Sequence, residues 1–379
     1  LSNGIKASKA LAERLSAPVC CGYQHNDAFP GSHPLFAGPL GYNGSKAGME
    51  LISKADVILA LGTRLNPFST LPGYGIDYWP KDAKVIQVDI NSDRIGLTKP
   101  VAVPIQGDAR MVAEQILEML HPKAGEDGRQ ERLDLIATTK SRWLQTLASM
   151  DHEDDDPGTT WNERARTRQP EHMSPRMAWR AIQSALPSEA IISSDIGNNC
   201  AIGNAYPTFE EGRKYLAPGL FGPCGYGFPA IAGAKIGCPD TPVVGFAGDG
   251  AFGISMNEMT AVGRSEWPAI TMIIFRNYQW GAEKRNTTLW FDDNFVGTEL
   301  DLDVSYAKIA DACGLKGIQV HTMDQLTQAL QTAIKDQMDN GVTTFLEVVL
   351  NQELGEPFRR DAMKAPVQVA GIDPADMRA

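Results

Sequence analysis

The stretch TPVVGFAGDGAFGISMNE, residues 241–258, decides the fold of the chain's second half. An apolar run, Val243–Ala247, meets a glycine turn at Gly248–Gly250 and passes at once into a helical pattern. Strand, tight turn and helix N-terminus in that order make the anion-binding corner of an open α/β sheet, where free N–H groups and the helix dipole face a ligand. Gly248, Gly250 and Gly253 even satisfy the G-x-G-x-x-G spacing of a dinucleotide site. Asp249 is the discordant residue, because a carboxylate in the turn repels a pyrophosphate resting directly on it. A hard cation between the two removes the conflict: Mg2+ takes octahedral oxygen ligands and pairs one or two protein groups with substrate phosphates. The apolar strand AITMIIFRN, one helix further on, ends at Asn277 and brings an amide oxygen to the same carboxyl edge, where open α/β sheets bind ligands. Asp249 and Asn277 are the expected metal pair. A plain turn carrying a surface aspartate is the competing reading.

Outward from this corner, apolar runs at AIISSD and TTFLEVVL alternate with helical patterns over 173–350, the mark of a parallel sheet covered on both faces. Ser174 and Pro175 open the first of these helices as N-cap and first helical residue. Residues 1–122 alternate in the same way: a helix near Lys6–Leu15, the strand PVCCG, a helix at Lys46–Lys54, the strands VILALG and KVIQVDI, and a helix from Ala109 to Leu120. Between the two lies 123–172, read as a linker with one helix, since DHEDDDPGTTWNERARTRQPEH is charged and lacks apolar periodicity. Residues 351–379 form a polar, proline-spaced tail. The fold class is therefore α/β, with two Rossmann-like, doubly wound parallel-sheet domains. The chain opens on a helix and on Leu1, so the first domain is expected to lack its first strand and the chain to be a piece of a longer protein.

Composition narrows the partners. With 46 acidic and 35 basic residues the 379-residue chain carries a net charge of -11, which disfavours nucleic acid, since phosphate backbones need a basic face. No apolar run approaches the about 18 residues of a membrane span. The 6 cysteines show no CxxC pair and read as reduced thiols.

The Gly-Asp-Gly turn followed by a strand-ending asparagine resembles the metal–diphosphate motif of acetolactate-synthase-like thiamine diphosphate (ThDP) enzymes. The resemblance implies ThDP and Mg2+ as cofactors. It makes the backbone carbonyl of Gln279 a third metal ligand beside Asp249 and Asn277, with Gly248, Gly250, Ala251 and Gly281 around the cofactor. Many members carry two adjacent asparagines where this chain has Arg276-Asn277; the second is the ligand, so Arg276 leaves the assignment intact. GLFGPCGYGFPAIAGAKIG, Gly219–Gly237, is similar to the segment that precedes the motif. It places Gly222 and Cys224 at the cofactor, Cys224 as support for its bent form. SSDIGNNC matches the family's other diphosphate loop, with Gly197, Asn198 and Asn199 as phosphate donors. NDAFPGSHPLFAGPLGYNG resembles the family's middle domain, which binds FAD in some relatives. No G-x-G-x-x-G follows a strand in residues 1–120, and FAD is not expected. His25 and His33 have no partner at ligand spacing and read as loop histidines.

The strings GYQHNDAFPGSHPL, RNYQWGAEKRNTTLWFDDNFVGTEL and GEPFRRDAMKAPV resemble the acyltransferase branch of that family, which acts on sulfoacetaldehyde. That implies conversion of sulfoacetaldehyde and inorganic phosphate to acetyl phosphate and sulfite, by a cytoplasmic homodimer or homotetramer. Lys284, Arg285, Arg359 and Arg360 are the candidates for holding sulfonate and phosphate, since planar guanidinium groups suit oxyanions. The family's activating glutamate stands on a pyrimidine-binding domain ahead of the middle domain and has no counterpart in these residues. No catalytic residue is assigned, and the chain alone is expected to be inactive. The other readings are a 2-oxo acid carboligase of the acetolactate synthase type and a non-catalytic nucleotide-binding module.

Overall fold

Residues 2–150, 172–219, 221–291 and 294–355 are described by the computed structural model of the chain, with backbone alone at 286 and 288–290. They divide into two units, 2–146 with 208–212, and 147–150 with 172–207 and 213–355. Every pairing between the strands named below is parallel.

In the first unit β1 (Val19–Cys21) pairs with β2 (Phe36–Pro39), and β3 (Val57–Leu61), β4 (Lys84–Asp89) and β5 (Val103–Gln106) form a second sheet in that order. The helices Ile5–Leu15 and Ala109–Met119 pack through Ala7, Leu11 and Ala113. Asp108 starts the second of them, its Oδ1 accepting from the N–H groups of Arg110 and Met111 at 3.0 and 3.1 Å. The strands β2 and β5 are too short and too weakly apolar to stand out in the sequence.

The segment expected as a linker holds the helix Arg129–Met150, and the first unit extends along it to residue 146. Ile136 is buried there with Phe29 and Phe36, and Trp143 meets Tyr74 edge-on at 5.3 Å. Residues 208–212, within the expected second domain, also belong to the first unit. The Glu210 carboxylate accepts from Ser32 N and Oγ at 2.9 and 2.7 Å, and Phe209 O accepts from Gly31 N at 2.7 Å. Residues 151–171 and 356–379 lie outside the described residues, and Arg359 and Arg360 with them.

The second unit is one six-stranded sheet. Its strands are β6 (Ile191–Ser194), β7 (Tyr215–Leu216), β8 (Val243–Gly248), β9 (Thr271–Arg276), β10 (Lys316–Val320) and β11 (Thr344–Val349), in the spatial order β10-β11-β9-β8-β6-β7. The apolar runs seen in the sequence are the central strands, buried along β9 and β11 throughout. Phe228, Phe252, Phe345 and Tyr306 pack ring against ring on one side of them, each fully buried aromatic contributing about 1.5–3 kcal/mol. On the other side Trp179, from the helix Pro175–Ala185, lies 4.8 Å from Phe246 and 5.3 Å from Phe275. Ser174 caps that helix, its Oγ accepting from Met177 N at 3.2 Å. Gly203 is what admits the indole: a Cβ there would stand 2.2 Å from the ring.

From β6 the chain runs to β7 on one side and then returns to β8 on the other. That reversal opens a crevice at the carboxyl ends of β6 and β8, the position at which doubly wound sheets take their ligands.

Candidate cofactor site at the carboxyl edge of the second sheet

Asp249 stands at this crevice. β8 ends at Gly248, and the helix Asp249–Ser255 begins with the very next residue. The aspartate is 1% exposed, which removes the reading of a surface turn. Its Oδ1 accepts from Gly250 N at 2.9 Å; its Oδ2 accepts from Tyr278 N at 2.7 Å and from Arg276 Nη1 at 3.1 Å. Tyr306 donates its hydroxyl to the Asp249 carbonyl at 3.1 Å. Burial pushes the carboxyl up to about 6, against the Arg276 charge and the N–H bonds, which pull it down.

Asn277 follows β9, which pairs with β8 in the register Gly248↔Phe275, so the two predicted ligands end neighbouring strands. It too is 1% exposed, and its Nδ2 donates to Asn199 Oδ1 at 3.4 Å, which joins the ends of β6 and β9. Tyr278–Gln279–Trp280 then runs antiparallel to 298–300: Trp280 N donates to Thr298 O at 2.7 Å and Leu300 N to Tyr278 O at 2.9 Å. Gln279 is held at its Nε2 by Gln352 O at 3.2 Å, while its buried Oε1 has no hydrogen-bond partner among the described residues.

The loop after β6 meets the same place. Gly197 adopts φ +141°, open only to glycine, and starts the helix Asn198–Ile202. Trp179 Nε1 donates to Asn199 O at 2.8 Å and anchors that helix to the core. Asn198 Nδ2 donates to Glu353 O at 3.1 Å, and its Oδ1 accepts from Arg285. Gly281 packs against Asn198, where a Cβ would stand 3.0 Å from the asparagine's own. The segment 222–227 is tied in by Asp195, a fully buried carboxylate. Its Oδ1 accepts from Ile196 N at 2.8 Å and Gly225 N at 3.0 Å, and its Oδ2 from Gly227 N at 2.7 Å. Gly222 lies beside Ile196, and Cys224 donates its thiol to Ile196 O at 3.9 Å. Burial pushes that thiol up to about 11. Ala251 is buried in the first turn of the helix that Asp249 opens.

Sequence reasoning brought Asp249, Asn277, Gln279, Asn198, Asn199, Gly197, Gly281, Gly222 and Cys224 to these loops, and the fold does place them around one crevice. Lys284 and Arg285 are there as well, yet both are buried and engaged by protein. Lys284 Nζ donates to Glu299 Oε1 at 2.6 Å and Gln352 Oε1 at 3.2 Å, and Arg285 donates to Asn198 Oδ1 and Leu354 O. Residues 351–355, expected as the start of a polar tail, are buried, with Glu353 paired to Arg176 Nε at 2.8 Å. Asp195, Trp179 and Arg276 were not foreseen as site residues. The one available signal for Arg276 was a charge at the end of an apolar strand, which buries only with partners.

The donor set fits a hard cation and a diphosphate. It is one buried carboxylate with amide and carbonyl oxygens, and no thiolate or imidazole stands in it. Among the described residues no three His, Cys, Asp or Glu side chains come together as a metal site. His33 is engaged by protein, its Nε2 3.1 Å from Glu13 Oε1 on the helix Ile5–Leu15 and its Nδ1 accepting from Leu35 N. A Cβ built on Gly197 or Gly248 would meet nothing within 4 Å, so both glycines border open space of the kind phosphate oxygens need. No helix among the described residues is long and apolar enough to cross a membrane.

Comparisons with known proteins agree with this geometry. Residues 1–116 match the family described as "Thiamine pyrophosphate enzyme, central domain", and residues 195–348 match "Thiamine pyrophosphate enzyme, C-terminal TPP binding domain". The chain is 78% identical over 378 residues to the sulfoacetaldehyde acetyltransferase of Roseovarius nubinhibens, a match spanning 100% of this chain and 62% of that protein. It is 76% identical to the probable sulfoacetaldehyde acetyltransferase of Rhizobium meliloti, over 100% of this chain and 64% of that protein. With the acetolactate synthase large subunit of Corynebacterium glutamicum it shares 27% identity, over 98% of this chain and 55% of the other. The chain thus spans less than two thirds of the length of these curated relatives. The two domain matches follow each other along one chain, with the buried Asp249 inside the second, and the chain belongs to the thiamine pyrophosphate enzymes, of which it carries the central and the C-terminal, TPP-binding domains.

Proposed function

We propose that this chain is the central and diphosphate-binding part of an enzyme that converts sulfoacetaldehyde and inorganic phosphate to acetyl phosphate and sulfite, with ThDP and Mg2+. The observation that carries the reading is the 78% identity to a sulfoacetaldehyde acetyltransferase, over 378 residues that span this chain. ThDP, when bound, supplies a carbanion and an electron sink to the reaction. The chain's own part is to hold and orient it. Asp249, Asn277 and the Gln279 carbonyl would hold Mg2+ against the diphosphate. Backbone N–H groups at Gly197, Asn198 and Asn199 would meet the phosphate oxygens, because the Asn198 side chain already serves Arg285 and Glu353. Cys224 would support the cofactor. Lys284 and Arg285 could receive sulfonate or phosphate only by exchanging their present partners, and Arg359 and Arg360 remain candidates in the tail. A second subunit and a pyrimidine-binding domain complete the site in this reading, in the cytoplasm. FAD plays no part.

The test uses the full-length protein. Asp249→Ala is expected to abolish Mg2+-dependent binding of ThDP in calorimetry, and retained affinity overturns the metal assignment. Product analysis separates the reaction from its relatives: release of CO2 and a hydroxyketone from 2-oxo acids, without acetyl phosphate or sulfite, would assign the protein to carboligation.

A further inference from the structure

Arg276 ends a strand otherwise made of apolar residues and threonine, and its side chain is 1% exposed. A charge persists at such depth only where partners hold it. Nη1 donates to Asp249 Oδ2 at 3.1 Å, and Nη2 donates to the carbonyls of Val304, at 3.0 Å, and of Asp301. Nε stands 3.8 Å from Glu347 Oε1. The guanidinium also lies 4.1 Å over the ring of Tyr278. Tyr278 is itself unusual, at φ +60°, in the left-handed region that a bulky residue occupies only under constraint. That turn points its N–H at Asp249 Oδ2, 2.7 Å away.

We propose that Arg276 is the positioning residue of the metal-binding carboxylate. It occupies Asp249 Oδ2 directly and, by covering the Tyr278 ring, supports the turn that occupies the same oxygen a second time. The carboxylate is thereby locked in one rotation, in which Oδ1, accepting from Gly250 N, keeps a lone pair for a divalent cation. The inference rests on the reading of Asp249 as the Mg2+ ligand. Glu347, fixed by Ser305 Oγ at 2.7 Å and Ala307 N at 3.0 Å, faces the guanidinium from its other end. The arginine's charge is thus shared by two carboxylates, which weakens its repulsion of an arriving dication. The fork geometry matters as much as the charge, because a lysine ammonium cannot reach both the carboxylate and the two carbonyls in one plane.

A locked carboxylate has a consequence that loss of general stability lacks. Mg2+ demands near-ideal octahedral geometry, whereas Ca2+ accepts irregular sites with longer bonds. Freeing Asp249 should therefore cost Mg2+ more than Ca2+. In the full-length protein with ThDP present, calorimetric titrations of Mg2+ and Ca2+ are compared for wild type, Arg276→Gln and the milder Arg276→Lys. Both variants are expected to weaken Mg2+ by about tenfold or more, as loss of a ligand's supporting partner does, with a smaller effect on Ca2+. Equal weakening of the two metals, or wild-type Mg2+ affinity in both variants, overturns the proposal. Asp249→Ala is titrated alongside: if it binds ThDP and Mg2+ as wild type does, the metal assignment itself has failed, and the Arg276 result is not the cause.

Discussion

Replacing Asp195 by asparagine tests whether the two cofactor loops are held by one carboxylate. Its oxygens accept three backbone N–H groups, at 2.8 and 3.0 Å on Oδ1 and 2.7 Å on Oδ2. Asparagine offers one acceptor and one donor in the same outline. With its oxygen toward Ile196 and Gly225, its amide faces the Gly227 N–H, donor against donor. Flipped, it serves Gly227 and abandons the other two. Either way at least one N–H is left buried and unpaired, at a cost of about 1–3 kcal/mol, and the surviving bonds lose their charge assistance. We expect about 2–4 kcal/mol in all, or a fall of roughly 4–16 °C in the melting temperature of a domain of this size. The loss is read from urea unfolding of the full-length protein and its Asp195→Asn variant, followed by the fluorescence of the buried Trp179 among other tryptophans. ThDP affinity, measured below the unfolding transition, should fall too, because 197–199 and 222–224 are no longer held in register. An unfolding midpoint equal to wild type would refute the reasoning, since it would mean that the three N–H bonds are dispensable.

Two neighbouring glycines should respond in opposite ways. Gly248 has an ordinary φ of -71° and open space where a Cβ would stand, so Gly248→Ala should leave stability intact while its methyl group obstructs the diphosphate and weakens ThDP binding. Gly250→Ala would place a Cβ 2.8 Å from the Trp280 ring, and the displaced indole should lower the unfolding midpoint by about 1–3 kcal/mol equivalent; equal melting curves for the two variants would contradict the packing. Alkylation at about pH 8 should modify the exposed Cys238 first, because the thiolate is the nucleophile. Burial raises the thiols of Cys224 and Cys200 to about 11 and about 12, so their labelling should begin only as the pH climbs toward those values. Peptide mass spectrometry would expose the error if Cys200 reacted as early as Cys238.

Much of the fold was legible because buried parallel strands must be apolar on both faces. AIISSD, PVVGFAG, AITMIIFRN and TTFLEVVL are β6, β8, β9 and β11 for that reason. Short or mixed strands such as β2, β5 and β7 carry no such pattern, and they emerged only when neighbours paired with them. The helix Arg129–Met150 looked like part of a linker because its apolar positions are sparse; Ile136 and Trp143 suffice to seat it once the partner surface exists.

The site divides along the same line. Sequence alone determined that Asp249 and Asn277 close two strands, and it raised the expectation of a cation beside the carboxylate, because strand ends and ligand chemistry are local properties. Tertiary structure alone decided what surrounds them: the order of the strands, which opens the crevice between β6 and β8, and the partners of Asp195, Arg276 and Arg285, which come from loops far away in the chain. A buried charge advertises in the sequence only that it needs a partner. Which partner it finds is settled by the packing that brings distant loops within 3 Å or so of one another.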